Sequence, residues 1–529
     1  MLKARTLGGW LMAGVLAGGL LGADQARAQD KVLRVVPYAD LRNTDPIWTT
    51  ATITQHHGYM IYDVLFAMDE NFVPQPQMVG DYAISDDNLT YTFTLRDGLT
   101  FHDGAPVTAE DVVASLNRWG VRDKMGQALM SLTESITAVD EKTVELKLKE
   151  PYGLTIETLA KPTSNVAFIM PKRLAETDPF EQVTDFTGSG PYRFVEEEWV
   201  PGNKVVYEKF EEYVPREEPA SGLAGGKVVK VDRVEWFYIP DPATAIAALQ
   251  NDEVDFYEAP PIDLVPALEA DPNIVVDIQN PVGLQVVLRP NHLYPPFDKA
   301  EARQALAYAA DQTEYMTAMV GNPEFYTTCD SLMMCGTPYA TNAGGGERMV
   351  TSDMDKAKEL MDSVYQGEKV VLMHPTDHPT GNAALVTASK LRELGVDVEL
   401  QAMDWATLTS RRTSKNPPEE GGWNLFHTRH GGMASASPVS HLSLATGGED
   451  AWFGWPDNEK IEELRIAFGL ETDEAKRKAI MEELHAEAMA YQPFVSVGQY
   501  TIPSAYRTRV KGVLRTPALV FWNISLEEG

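Results

Sequence analysis

Tyr91-Thr-Phe-Thr-Leu-Arg96-Asp97-Gly98-Leu-Thr-Phe101-His102-Asp103-Gly104-Ala-Pro106-Val-Thr108-Ala-Glu110-Asp111-Val112 is the most specific stretch of the chain. From Leu89 to Leu95 apolar and polar residues alternate, which predicts a strand with one buried face. Asp97-Gly98 and Asp103-Gly104 are tight-turn pairs, because glycine enters conformations that other residues avoid and aspartate bonds to nearby backbone. Thr108-Ala-Glu-Asp111 has the form of a capping box. It predicts a helix through Val112, Val113, Leu116 and Trp119. Arg96, His102 and Asp103 have side chains suited to catalysis, but they sit in the turns, so they are read as scaffold.

The same alternation of elements extends in both directions and predicts an α/β protein. Residues 31–36 form an opening strand, and 143–149 repeat the strand period. Asp241-Pro242 sets a capping acid before a proline at the first helical position, with the helix continuing through Ala245, Ala248 and Leu249. Further on, a helix starts at Asp298 and another covers 356–365. A strand at 369–373, a helix at 382–394 and a strand at 396–400 then suit a parallel pair. Residues 473–491 read as a long amphipathic helix. Glycine- and proline-rich stretches at 219–226, 344–346 and 416–422 are expected to be surface loops.

The first residues read as a targeting segment. Lys3 and Arg5 precede an apolar stretch over 7–22, and Ala26-Arg27-Ala28 supplies the small-x-small cleavage signal, so 1–28 are expected to be a signal peptide. That stretch is short for a bilayer span of ~20 apolar residues. No cysteine stands near the cleavage site, so no lipid-modified cysteine would tether the product. About 500 residues remain, which suggests two or three domains. The 45 basic residues against 77 acidic ones give a formal charge of −32. This argues against nucleic acid or an anionic membrane as partner, because both need a positive footprint. The two cysteines, Cys329 and Cys335, are expected to form a disulfide in an exported protein. Zinc would need a third and fourth ligand, and no histidine flanks the pair.

The 91–112 stretch strongly resembles the signature of extracellular solute-binding protein family 5, which includes dipeptide-, oligopeptide- and nickel-binding receptors. Other segments match in order: Gly188-Ser189-Gly190-Pro191-Tyr192, then 245–249 with Glu253-Val-Asp255. Pro295-Pro296-Phe297-Asp298 with Arg303-Gln304-Ala-Leu-Ala-Tyr308 follows. The resemblance implies a two-lobed periplasmic-binding-protein fold of the peptide-binding type, with an extra domain inserted in the first lobe. On that pattern the first lobe takes 30–64, 188–281 and 503–529, the inserted domain takes 65–187, and the second lobe takes 282–502. The ligand would lie between the lobes, where closure excludes water and strengthens polar contacts. Apolar and aromatic groups with few polar anchors are expected there.

Three segments are expected at the cleft on the family pattern. The first, Asp45-Pro-Ile-Trp48-Thr49-Thr50, brings Trp48 and Thr49. The second, Met403-Asp404-Trp405, brings Trp405. The third runs from Trp423 to Pro438 and brings His427, Arg429, His430 and Ala434. Each also reads as scaffold. Peptide receptors of the family carry an aspartate near Pro438 that pairs with the peptide's amino group, and Ala434 stands there. A buried ammonium without that carboxylate is costly, so ordinary free-amine peptides are not expected to bind. Arginine presents a planar fork suited to carboxylate or phosphate. The expected ligand is therefore an anionic or zwitterionic organic solute: a modified amino acid, a blocked peptide or a chelate carrying carboxylates.

No catalytic residues, cofactor or protein-held metal are expected. A nickel or metal-chelate receptor of the same family is the alternative, with His56-His57, His427, His430 and His441 as candidate ligands. As neighbours on a strand, His56 and His57 would point to opposite faces and clamp poorly. A secreted hydrolase is the rival from another class, but neither Gly-x-Ser-x-Gly nor His-Glu-x-x-His occurs. The expected partners are a small-molecule ligand and an inner-membrane ABC permease complex, or a chemosensor in its place. The protein is expected to act as a monomer in the periplasm, with no membrane insertion.

Overall fold

A computed structural model describes residues 31–527; the expected signal peptide and its cleavage site lie outside them. Two large sheets organise the chain, one in each lobe. The first lobe's sheet has seven strands in the order Tyr192–Phe194, Lys204–Lys209, Arg233–Phe237, Val32–Val36, Phe256–Tyr257, Ser504–Arg507, Ile274–Asp277. Val32–Val36 runs parallel to both of its neighbours. The second lobe's sheet has six strands in the order Tyr326–Thr327, Val495–Tyr500, Leu284–Pro290, Leu425–Gly431, Val370–Pro375, Val398–Met403. Its Val370–Pro375 strand is parallel to both Val398–Met403 and Leu425–Gly431. A separate four-stranded antiparallel sheet lies within residues 79–148.

The 91–112 stretch folds as its local chemistry dictates. Tyr91, Phe93 and Leu95 are buried on one face of the Thr90–Leu95 strand. The helix Ala109–Arg122 buries Val112, Leu116 and Trp119, and Thr108 with Asp111 closes its capping box. Gly98 and Gly104 hold the positive φ of the two turns, +80° and +85°. The turn residues are fasteners. His102 donates from Nε2 to the Gly190 carbonyl at 3.0 Å and accepts at Nδ1 from the Gly188 N–H at 3.1 Å. Gly188 and Gly190 must be glycine for this contact. A Cβ on Gly188 would lie 1.7 Å from the Ile61 carbonyl oxygen, and one on Gly190 would lie 2.6 Å from the Tyr62 nitrogen. The signature and the glycine-rich turn, joined by bonds that span 86 and 88 positions, are thus two halves of one joint.

Two local readings are corrected. Residues 219–226 are not wholly a surface loop: Leu223 and Ala224 are buried, and the chain continues directly into Lys227, which is fully buried. His56 and His57 lie on the helix Thr52–Ile61, not on a strand. Their side chains diverge because successive helical residues are turned by about 100°. His57 Nδ1 bonds the Tyr207 hydroxyl at 2.8 Å, and His56 faces Glu258.

Lys227 Nζ meets Asp63 Oδ1 at 2.7 Å, with neither side chain exposed. Tyr213 donates its hydroxyl to the other carboxylate oxygen at 2.7 Å. Removing the cation would strand a buried carboxylate, so Lys227→Met is expected to cost about 3–5 kcal/mol, read from urea unfolding. A loss below about 1 kcal/mol would show that Asp63 does not depend on the pair.

Candidate functional site

In an open α/β sheet, ligands lie beyond the carboxyl ends of parallel strands, where the backbone connections part. Both lobes present such ends. In the first, Val32–Val36 leads to Tyr38 and Phe256–Tyr257 leads to Glu258. In the second, Val370–Pro375 leads to Asp377 and His378, Val398–Met403 leads to Trp405, and Leu425–Gly431 carries Arg429 near its end. Burial and the Glu258 carboxylate push the Tyr38 phenol up, while Arg429 pulls it down. Tyr38 of the first lobe thus lies within electrostatic reach of Arg429 of the second.

Arg429 donates to the Tyr500 hydroxyl, and among the described residues it forms no ion pair with a carboxylate. Beside it, Trp405 stacks on His378 with ring centroids 4.0 Å apart and planes 11° apart. The Trp405 backbone N–H donates to Asp377 at 2.7 Å. Burial, with help from Arg429, lowers the His378 imidazole to about 4. On the facing lobe, Tyr38 stands 43 % exposed and its hydroxyl accepts from the Ile53 N–H at 2.9 Å, at the start of the helix Thr52–Ile61. A helix start adds partial positive charge. The gap thus combines a guanidinium, a phenol and an aromatic stack.

The other expected site residues make their own contacts, apart from those of Arg429 and Trp405. Trp48 donates its indole N–H to the Phe180 carbonyl at 3.1 Å, and its own carbonyl accepts from Arg122. Thr49 is held by Asn165, which donates to its carbonyl at 3.1 Å. The Arg429 side chain bonds Tyr500 and neither of these residues. His427 shares a strand face with Arg429 but is fully buried, bonded through Nε2 to the Thr387 hydroxyl at 2.7 Å. His430 points to the opposite face and bonds Ser443 at 2.8 Å, with its ring against Trp452 and His441. Ala434 sits in the Gly432–Ser435 turn, its carbonyl accepting from Ser440 at 3.0 Å. Its neighbours Met433, Ala436 and Ser437 line a cavity of about 380 Å³ shared with Met125, Leu154 and Tyr339.

A model of the family described as bacterial extracellular solute-binding proteins, family 5 Middle, matches residues 73–451. The chain belongs to that family. It is a solute-binding protein of the ABC-transporter type, in a family of transport proteins and not of enzymes. It is 42% identical to the probable peptide ABC transporter periplasmic-binding protein y4tO of Sinorhizobium fredii, covering 97% of this chain and 98% of that one. It is 26% identical to the glutathione-binding protein GsiB of Pectobacterium atrosepticum, over 97% and 96% of the two chains. The solved structure of AgaA from A. tumefaciens R10, in complex with agropinic acid, superposes with a TM-score of 0.74. It is 23% identical and covers 94% of this chain and 99% of that one.

Cys329 and Cys335 are bonded, as expected for an exported family member, with Cα atoms 5.7 Å apart. Their loop supports the second-lobe side of the gap. Met334 donates its N–H to the Ser435 carbonyl at 3.0 Å, next to Ala434, and Cys335 donates to Gln499 at 3.1 Å, next to Tyr500. Among the described residues no group of three His, Cys, Asp or Glu is arranged to hold a metal ion. None of their helices is long and apolar enough to cross a membrane.

Sequence reasoning missed Tyr38, Glu258, His378 and Tyr500. A signal existed for the first three, since each lies one to three residues beyond a strand with few polar residues. Tyr500 had none, because its role depends on a strand 70 residues away.

Buried histidines give the fold a pH dependence with a definite sign. Burial lowers His56, His57 and His427 to about 3 from an ordinary 6.5. The unfolded chain therefore takes up these protons first. Their contribution is intact above 6.5 and is lost as pH falls toward 3, by up to about 1.4 kcal/mol per histidine per pH unit. Glu258, raised by burial to about 7 from 4.5, acts in the opposite sense and offsets one histidine. Urea midpoints are therefore expected to fall clearly between pH 6.5 and pH 5. Equal midpoints would mean that these rings are not buried neutral.

Proposed function

We propose that the chain is the periplasmic receptor of an ABC importer, capturing an anionic or zwitterionic organic solute between its lobes and delivering it to an inner-membrane permease as a monomer. One observation carries the ligand class: Arg429, at the carboxyl end of a second-lobe strand, has a phenol partner and no carboxylate. In a chain of charge −32, a guanidinium left without an acid beside a closing gap is suited to an acid supplied by the ligand. Its planar fork meets a carboxylate with two parallel hydrogen bonds. Trp405 and His378 offer an aromatic face for an apolar or sugar portion. The relatives whose names mention a peptide or glutathione, and the neighbour holding agropinic acid, all concern solutes that carry carboxylates.

The domain division at 30–64, 188–281 and 503–529 against 65–187 and 282–502 belongs to this reading. The two large sheets supply its framework. His427 has no place at the cleft in it, and Trp48 serves the contact with Phe180.

Native mass spectrometry of protein purified without refolding is expected to reveal a retained small acid. With that ligand in calorimetry, Arg429→Ala should weaken binding by about 2–5 kcal/mol, the loss expected when one partner of a desolvated charge pair is truncated. Affinity within about twofold of wild type, with the melting temperature unchanged, would assign Arg429 to the scaffold.

A further inference from the structure

Glu258 is the counterpart of Arg429 on the facing lobe. It ends the Phe256–Tyr257 strand, and its side chain is 11% exposed. One carboxylate oxygen accepts from the Tyr38 N–H at 2.8 Å. The other lies 3.4 Å from His56 Nδ1, which forms no hydrogen bond. Three elements meet Glu258. The loop after Val32–Val36 gives Tyr38, and the helix Thr52–Ile61 gives His56. The Ser504–Arg507 strand gives Ser504, whose hydroxyl bonds the Glu258 carbonyl at 2.7 Å. No lysine or arginine pairs with Glu258 among the described residues, and burial keeps His56 neutral down to about 3.

Other buried carboxylates of the first lobe have their cations in place. Asp63 has Lys227, Asp45 has Arg118, and Asp255 has Arg34 and Arg509. Burying a carboxylate without a cation is costly; burial raises Glu258 to about 7, and an ammonium brought from outside the chain would stabilise its charged form. Glu258 reaches that gap through Tyr38, the same half-exposed residue on which Arg429 acts from across it. The second lobe's turn cannot supply an acid, because residues 430–441 contain no aspartate or glutamate.

We propose that Glu258 is the cation anchor of the cleft, pairing with the ammonium of a zwitterionic solute whose acid group is held at Arg429. This rests on the reading of Arg429 as the acid anchor and narrows it: the ligand carries both charges, one for each lobe. Bridging the two lobes with opposite charges makes the ligand itself the link that favours closure, because each charge gains most when the gap is shut. Asp377, exposed on the second-lobe rim and bonded to the Trp405 N–H, is the rival carboxylate.

The test compares glutathione, which has a free ammonium, with N-acetylglutathione, which keeps the carboxylates and loses that charge. Calorimetry is run on wild type, Glu258→Gln, Asp377→Asn and Arg429→Ala, with circular dichroism and melting temperature as the check on folding. Wild type is expected to prefer glutathione by at least tenfold. Glu258→Gln should bring the preference within twofold, and Asp377→Asn should keep it. Arg429→Ala should weaken both compounds while preserving the ratio. A preference that survives in Glu258→Gln, or disappears only in Asp377→Asn, overturns the assignment. Equal wild-type binding of the two compounds also overturns it, while a loss of both in Arg429→Ala would leave the acid-anchor reading standing. If neither compound binds but agropinic acid, which lacks an ammonium, does, the cation anchor is overturned and the acid anchor is not.

Discussion

The lobes are joined by two chain crossings that run side by side, and the cleft is defined by that junction. The Ile274–Asp277 strand pairs with Ser504–Arg507 in the first sheet, and Leu284–Pro290 pairs with Val495–Tyr500 in the second. The same two segments therefore leave one sheet together and enter the other together. Gly283 marks the passage, with φ at +65° and no room for a Cβ, which would lie 2.3 Å from the Tyr500 carbonyl oxygen. Its own carbonyl accepts from the Gly432 N–H at 2.8 Å, which ties the crossing to the turn that carries Ala434. A paired crossing of this kind can bend about one axis more easily than it can slide, as hinge closure requires.

From that constraint the distribution of charge follows. A gap that opens and closes is the one place where a buried group can have its partner delivered from outside. Within the lobes, the buried acids Asp63, Asp45 and Asp255 have cations supplied by the chain, and the buried Arg289 donates to carbonyls of Ser443, Trp452, Phe453 and Pro493. Arg429 and Glu258, on the strand ends facing the gap, lack charged protein partners of this kind. Arg289 is saturated by four backbone carbonyls, whereas Arg429 has the Tyr500 hydroxyl, and on the proposed function that leaves it available to a ligand.

The histidines make the same point in reverse. His102, His427 and His430 are attractive as chemistry, yet each is a neutral hydrogen-bonding wedge: one between turn and loop, one between strand and helix, one between strand and the Ser443 segment. His102 uses both ring nitrogens, one as donor and one as acceptor, while His427 and His430 each bond through Nε2. Desolvation keeps the ring uncharged.

The sequence by itself determined the local elements and the family. Strand periods, capping boxes and Asp-Gly turns act over a few residues, and the order of the motifs depends only on the chain. It also brought out Arg429 and Trp405, since a charged residue beside glycines and a tryptophan after a strand are visible locally. Only the tertiary structure decided which polar groups meet. Tyr38, Glu258 and Arg429 are separated by up to about 390 positions and become neighbours because parallel strands end together and two lobes face each other. Period two places His427 and Arg429 on one face of a strand, but Thr387 of the helix Thr380–Glu393 bonds the first and Tyr500 bonds the second. No local rule carries that information, since both partners come from segments far away in the chain.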